Sequence, residues 1–380
     1  MLVCYGSMAC LAISANLPPV YLTTFAETFG GPDGLSAEQL GRIPAVIFGA
    51  TVLGILFSGP LADRRGGKML ALAGLVLTAA GLCLLAAAQS YTALLVAGGT
   101  MGFGAGILDM ILSPIVCALQ PLRRARALNH LHAFYCVGAL GTIIAASAAL
   151  RLGISWRITM LVITVVPTAM FIGFMPLAIP PLIATGTVRT PTLKLLSRPL
   201  FLALLVGITL SGAIEQGMSQ WLPAYAERAL GYSKSTGGFA LAAFSAGMII
   251  GRVALGNAAH RIRPIPLMLV ACAGCVLAYG VACFVPVPPL ALAGCISVGL
   301  AVSCLWPTAL SLAADTLPQG GATMFSLMAA GGNVGCFVMP WLIGVVAEAT
   351  SLTTGLAMVI TCPVLLAMIL TGIAMRTKTG

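Results

Sequence analysis

The sequence predicts an all-α membrane protein with twelve transmembrane helices in two pseudo-symmetric six-helix bundles. Three observations predict it: a composition too apolar for a water-covered surface, a regular series of long apolar runs, and a repeat of that series at one offset. Of the 380 residues, 59% are hydrophobic and only 7% are charged, against about 25% charged in a soluble domain. Mean hydropathy is +1.06. Lipid must therefore cover most of the surface, and lipid tolerates only structures that pair every backbone N–H and C=O internally. A spanning helix needs roughly 20 apolar residues, so twelve of them with short loops use most of this chain.

The apolar runs place helices at about 2–28, 40–62, 68–89, 92–121, 129–150 and 156–182, then at about 198–229, 236–257, 264–285, 289–315, 322–347 and 352–375. Between the two sets, Ile183 to Ser197 is polar and aperiodic, with Thr185, Thr187, Arg189, Thr190, Pro191, Thr192 and Lys194. It reads as a linker between residues 1–182 and 198–380. The first run lacks a basic leader and continues past Pro18 and Pro19, so it reads as helix 1 and not as a signal peptide. The chain opens almost inside that helix, which leaves room for a start upstream.

The two sets repeat. A shift of 197 positions aligns Gly59 with Gly256, Gly102 with Gly299, and Val137-Gly138 with Val334-Gly335. Parallel repeats of this kind occur in one large transporter architecture.

The net charge of +10 does not point to nucleic acid, because the basic residues sit in short clusters between apolar runs. One set of loops holds Arg64, Arg65, Lys68, the Arg123–Arg126 cluster, Arg189, Lys194, Arg198, Arg261, Arg263, Arg376 and Lys378; the alternate set holds only Arg42, Arg151, Arg157, Arg228 and Lys234. Arg252 lies inside helix 8. The positive-inside rule then puts the linker and both termini in the cytoplasm, as an even number of spans requires. The expected setting is a bacterial inner membrane, with the protein a monomer. The 12 cysteines are scattered through apolar runs, and the Cys272–Cys275 pair lies within one, which favours structural burial over redox or metal chemistry.

The loop after helix 2 reads Gly59-Pro-Leu-Ala-Asp63-Arg64-Arg65-Gly66-Gly67-Lys68. It resembles the signature loop of the major facilitator superfamily, and the duplication and span count extend the resemblance to the whole chain. Gly59 permits close helix approach. Asp63 suits a cytoplasmic gate, pairing with Arg123 or Arg124 at the end of helix 4; the plainer alternative is a charged turn. In the second copy His260 stands where Asp63 would be, so a gate there is expected to be weaker.

Helix 4 carries Gly102-Phe-Gly104-Ala-Gly106-Ile-Leu-Asp109, followed by Ser113-Pro114. Helix 5 opens Asn129-His130-Leu131-His132, with Phe134 and Tyr135 before Gly138. Together they resemble the fucose permease branch of the superfamily. Glu215-Gln216-Gly-Met-Ser219-Gln220-Trp221 on helix 7 looks like the sodium-dependent glucose transporter relatives of that branch. The resemblance implies hexose-like solutes carried with protons or sodium. One departure is Asn16-Leu-Pro18-Pro19 in helix 1, where the branch has an acid, so a two-acid coupling scheme does not carry over intact.

Seven of the nine acids lie in loops or at helix ends; only Asp109 and Glu215 sit inside apolar runs. An ionisable group there costs roughly 3 kcal/mol even on lenient insertion scales. It must face the bundle interior, and a low-dielectric setting favours the neutral form of a carboxyl, as a proton carrier needs. Asp109 is expected to carry the coupling proton, with Glu215 next. A structural hydrogen bond to a neighbouring helix is the alternative for Asp109, while Glu215 is expected nearer the outer half of helix 7, where a water-filled vestibule can reach it.

By the offset, Asp109 aligns with Trp306 and Glu215 with Pro18. A carboxylate on one half and an aromatic platform on the other suit a sugar ring. Asn16, Asn129, His132, Gln216 and Gln220 can hydrogen-bond hydroxyls; Trp221 and Trp306 can form platforms, with core or lipid packing as the alternative. His130 and His132 are two apart on a helix and point apart, so they make no metal site. Pro18-Pro19, Pro114, Pro223, Pro307 and Pro340 lie within spanning runs and free backbone carbonyls.

No glycine-rich phosphate loop followed by Lys-Ser or Lys-Thr is present. No nucleophile–base pair, metal cluster or cofactor motif stands out either, so an enzyme is not expected. The expectation is a secondary transporter with alternating access, moving a small sugar-like solute with a proton or sodium. Proton-antiport export of amphiphilic compounds is the rival within transport; a non-transporting membrane sensor or scaffold is the rival from another class.

Overall fold

The computed structural model describes residues 1–120, 123–179, 192–258, 263–317 and 321–379. Among them are 12 helical segments long and apolar enough to cross a membrane, and no strand. The chain forms two compact units, Met1–Thr187 and Val188–Gly380.

In the first unit, α1 is helix Leu2–Asn16, a 3-10 turn at Pro18–Tyr21 and helix Leu22–Phe29. It is followed by α2 (Ala37–Arg65), α3 (Gly67–Ala87), α4 (Tyr91–Leu119), α5 (Arg124–Arg151) and α6 (Trp156–Ile163 continued by Val165–Phe174). In the second, a short helix, Thr192–Leu196, precedes α7 (Pro199–Arg228), α8 (Lys234–Ala258), α9 (Pro264–Phe284), α10 (Pro288–Val302 continued by Leu305–Thr316), α11 (Gly321–Ala349) and α12 (Leu352–Met358 continued by Thr361–Thr379).

Three of the broken helices share one cause. Proline has no N–H to offer the carbonyl four residues back, and its ring clashes with that carbonyl. Pro167 faces Ile163, Pro307 faces Ser303 and Pro363 faces Val359, and the breaks in α6, α10 and α12 fall at these positions. The doubled Pro18-Pro19 opens α1 into a 3-10 turn where a continuous helix was expected. Other boundaries also moved. Helix α2 continues to Arg65 because its stop is Gly66 at φ 79°, a conformation that favours glycine. Helix α6 ends at Phe174 and not near 182, since Pro176 follows two residues on. Helix α5 takes in the basic turn from Arg124. Of the expected linker, residues 183–191 lie outside the described residues, while Thr192–Leu196 is helical with Leu195 buried.

The same internal packing recurs in both units. Helix α4 packs on α2 and α3, and α1 on α5; correspondingly α10 packs on α8 and α9, and α7 on α11. The glycine contacts repeat at the sequence offset. A side chain on Gly102 would strike the Ile47 carbonyl, and one on Gly299 the Phe244 carbonyl. Gly54 faces Phe103 and Gly106; Gly251 faces Leu300 and Ser303. Each pair is related by 197 positions, so the duplication is spatial as well as sequential. The close approach expected at Gly59 is not there. A methyl group on Gly59 would meet only the Met110 side chain at 3.7 Å, an ordinary contact, and it is Gly54 that lets α2 meet α4. Rows of exposed apolar side chains, such as Leu53, Leu56 and Phe57 on α2, suit a lipid-covered surface.

Candidate functional site

The second unit concentrates polar side chains in its middle. Residues 211–226 of α7 are all buried, Glu215 being only 8% exposed. One carboxylate oxygen of Glu215 accepts from Arg252 Nη2 of α8 at 3.3 Å, and the other accepts from Gln216 Nε2 at 3.2 Å. Gln216 Oε1 in turn accepts from Ser219 Oγ at 2.9 Å and Gln220 Nε2 at 2.8 Å. These donors give the carboxyl group the hydrogen-bonded partners that an apolar interior demands of a buried polar group.

Arg252 makes a second contact that explains its place. Its Nε donates to the Ser303 carbonyl at 3.4 Å. That is the carbonyl stripped of its helical partner by Pro307. Gly251 brings α8 against Ser303 at the same point. Arg252 thus ties together α7, α8 and the break in α10.

Trp306, half-buried on α10, lays its indole against Gly332 of α11, where any side chain would overlap the ring. Gly332 also meets Gly212 of α7, one turn before Glu215. Asn333 follows, 8% exposed, its Nδ2 donating to the Ala329 carbonyl at 3.0 Å. Trp221 is a different case. It is 1% exposed and its Nε1 donates to the Pro340 carbonyl at 2.9 Å. It is core packing between α7 and α11, and the open platform expected of it is not present here. Gln216, Ser219 and Gln220 are likewise engaged with one another.

In the first unit, Asp109 stands on α4 ten residues before Leu119, half-buried. Among the described residues no hydrogen-bond or ion-pair partner is recorded for it. Asn16 closes the first segment of α1, 8% exposed, its Nδ2 donating to the Ala12 carbonyl at 2.9 Å. His132 is exposed on α5. Neighbouring His130 meets Tyr5 edge-on at 6.1 Å, and Phe134 stacks on Tyr5 at 5.2 Å. The Asn129 side chain lies outside the described residues, as do Asp63, Arg64 and Arg124 of the expected gate. Lys68 is half-buried at the start of α3 and Arg123 is exposed ahead of α5.

Arg252 is the residue that sequence reasoning passed over. A cation inside an apolar run carries the same penalty as an acid, and it was the matching clue to Glu215. Pro307, four residues after Ser303, was the clue to the carbonyl.

Twelve apolar helices, folded as two units with one repeated packing scheme, define a polytopic membrane protein of the secondary-transporter kind. The profile of the Major Facilitator Superfamily matches residues 3–340, and the chain belongs to that family. It is similar to a putative uncharacterized MFS-type transporter of Mycobacterium tuberculosis strain CDC 1551 / Oshkosh. It is equally similar to an uncharacterized MFS-type transporter of strain ATCC 25618 / H37Rv. Each is 31% identical over 138 residues, which is 36% of this chain and 32% of the relative. The match thus spans about a third of these curated relatives.

Proposed function

We propose that the protein is a proton-coupled secondary transporter of a small sugar-like solute, working by alternating access. The observation that supports it is the ion pair between Glu215, buried in the middle of α7, and half-buried Arg252 of α8. A coupling group must be able to exist both charged and neutral within the membrane. Glu215 has a cation and an amide to hold its charged form, whereas no such partner is recorded for Asp109 among the described residues. The coupling role therefore moves from Asp109, first choice on sequence, to Glu215. The Trp306 ring and Asn333, gathered near the α7–α11 contact, suit the C–H face and hydroxyls of a sugar ring. Asp63, with Arg64, Lys68, Arg123 and Arg124, remains the proposed cytoplasmic gate, in a bacterial inner membrane with both termini inside.

The test is purified protein in liposomes, assayed for uptake of neutral and acidic sugars under an imposed pH gradient. The proposal expects accumulation that a protonophore abolishes. Sodium-driven, pH-insensitive uptake contradicts the coupling ion. No flux of any solute contradicts transport and favours a sensor or scaffold.

A further inference from the structure

We propose that the solute is a sugar acid, a polyhydroxylated monocarboxylate whose carboxylate takes the place of Glu215 on Arg252. This rests on the reading of the protein as a proton-coupled transporter and narrows its substrate class.

The argument begins with charge. A guanidinium inside the membrane needs a counter-anion, and Glu215 supplies one. Their contact is 3.3 Å, long for a charge-assisted bond, which usually lies near 2.7–2.9 Å. Arg252 is also the more open partner, its side chain 26% exposed against 10% for Glu215. It has a second tether besides Glu215, because its Nε reaches the Ser303 carbonyl that Pro307 leaves without a helical donor. The guanidinium is thus preset for a planar anion, and the fork geometry of arginine matches a carboxylate.

Bringing a carboxylate to Arg252 while Glu215 stays ionised would set two negative charges on one cation. The exchange balances if Glu215 takes up one proton as the solute carboxylate arrives. The ion pair is replaced by a neutral carboxylic acid and a new ion pair, and one proton and one anion have entered with no net charge. Proton and solute binding then favour one another, as linkage requires. A neutral hexose brings no charge, leaves the pair intact and gives Glu215 no cause to bind a proton.

The groups around Glu215 leave this role to it. Arg252 comes from α8, and Tyr279 of α9 donates to the Ile214 carbonyl at 2.8 Å. The thiol of Cys336 lies beside Gly212 on the α11 side, Cys304 is buried at the α10 break and Cys362 is buried on α12. The short helix before α7 offers Lys194, exposed at the far end of α7. Arginine and lysine stay cationic, and tyrosine and thiols ordinarily stay neutral, near neutral pH.

The experiment uses the full chain in liposomes with labelled D-glucuronate and D-glucose. Glucuronate should accumulate with an inward proton gradient, to an extent unchanged when the membrane potential is clamped at zero or reversed. Glucose should neither accumulate nor compete. Arg252→Lys, which keeps the charge but loses the fork, should raise the KM for glucuronate about tenfold or more. The double variant Glu215→Gln/Arg252→Gln, a neutral pair of similar shape, should keep its melting temperature and lose glucuronate uptake. Proton-driven glucose uptake indifferent to glucuronate overturns the sugar-acid assignment and leaves the transporter reading intact. Normal glucuronate uptake by the double variant overturns the role of Arg252. The absence of proton-driven uptake of either solute overturns the assignment, and if it extends to every sugar tested, the proposed function falls with it.

Discussion

The two units pack their helices alike and put different chemistry at the same contacts. Gly54 and Gly251 are equivalent, and each lets its helix meet the next-but-one helix of its unit. The residue that follows is Ile55 in the first unit and Arg252 in the second. The facing residue is Gly106 in the first and Ser303 in the second. Pro18, which breaks α1, corresponds to Glu215, which lies in unbroken helix; Asp109 corresponds to Trp306. The glycine contacts that set helix spacing are thus duplicated, while among the described residues an ion pair between two helices, tied by Arg252 to a third, is found in the second unit. Close approach between helices requires glycine and little else, so the positions beside it can diverge in the two halves. We take the second unit as the one that binds and couples.

The comparison breaks most sharply at Arg252. Arg252→Ala leaves Glu215 buried beside Gln216 with its recorded cation removed. We expect a loss of about 2 kcal/mol, below the usual cost for a wholly buried pair because Arg252 is 26% exposed. Transport should fall about 100-fold. The Glu215→Gln/Arg252→Gln variant should recover most of the lost stability without recovering transport. Melting curves in detergent and flux at matched protein level check both. Stability effects of Glu215→Gln and Arg252→Gln that simply add in the double variant would mean that the pair does not interact energetically.

A second test asks whether the units are structurally equivalent. Gly102→Val and Gly299→Val each drive a branched side chain into a backbone carbonyl that no rotamer can avoid. Both should cost about 3 kcal/mol, and their effects on melting should agree. A large effect from one and none from the other would show that the repeat is not equivalent in packing.

Much of this architecture was legible in the sequence, for a physical reason. Apolar runs of membrane-spanning length have few alternatives, so all twelve helices were placed. Their ends were less clear where the stop is local: Gly66 ends α2 by a positive φ, and Pro176 ends α6. The candidate site was half legible. An acid in an apolar run is conspicuous, and Glu215 and Asp109 were found that way. Arg252 was hidden by its membership of a large set of basic residues whose other members mark loops. Trp221 stayed open between platform and core packing because a buried indole that donates to the Pro340 carbonyl has the same local sequence as an exposed platform. Only the helix facing it decides between the two.

The smallest effect is expected at Asp109. Asp109→Asn should lower accumulation only several-fold and leave solute counterflow near wild type, because coupling is assigned to Glu215. Complete loss of accumulation with intact counterflow would return the coupling proton to the first unit and reverse the comparison.

The central claim is that Glu215 carries the proton, and Glu215→Gln tests it most directly. The amide keeps the shape of the protonated acid but cannot exchange a proton. In liposomes the variant should lose accumulation driven by a pH gradient while still exchanging labelled for unlabelled solute. Accumulation equal to wild type would contradict the account.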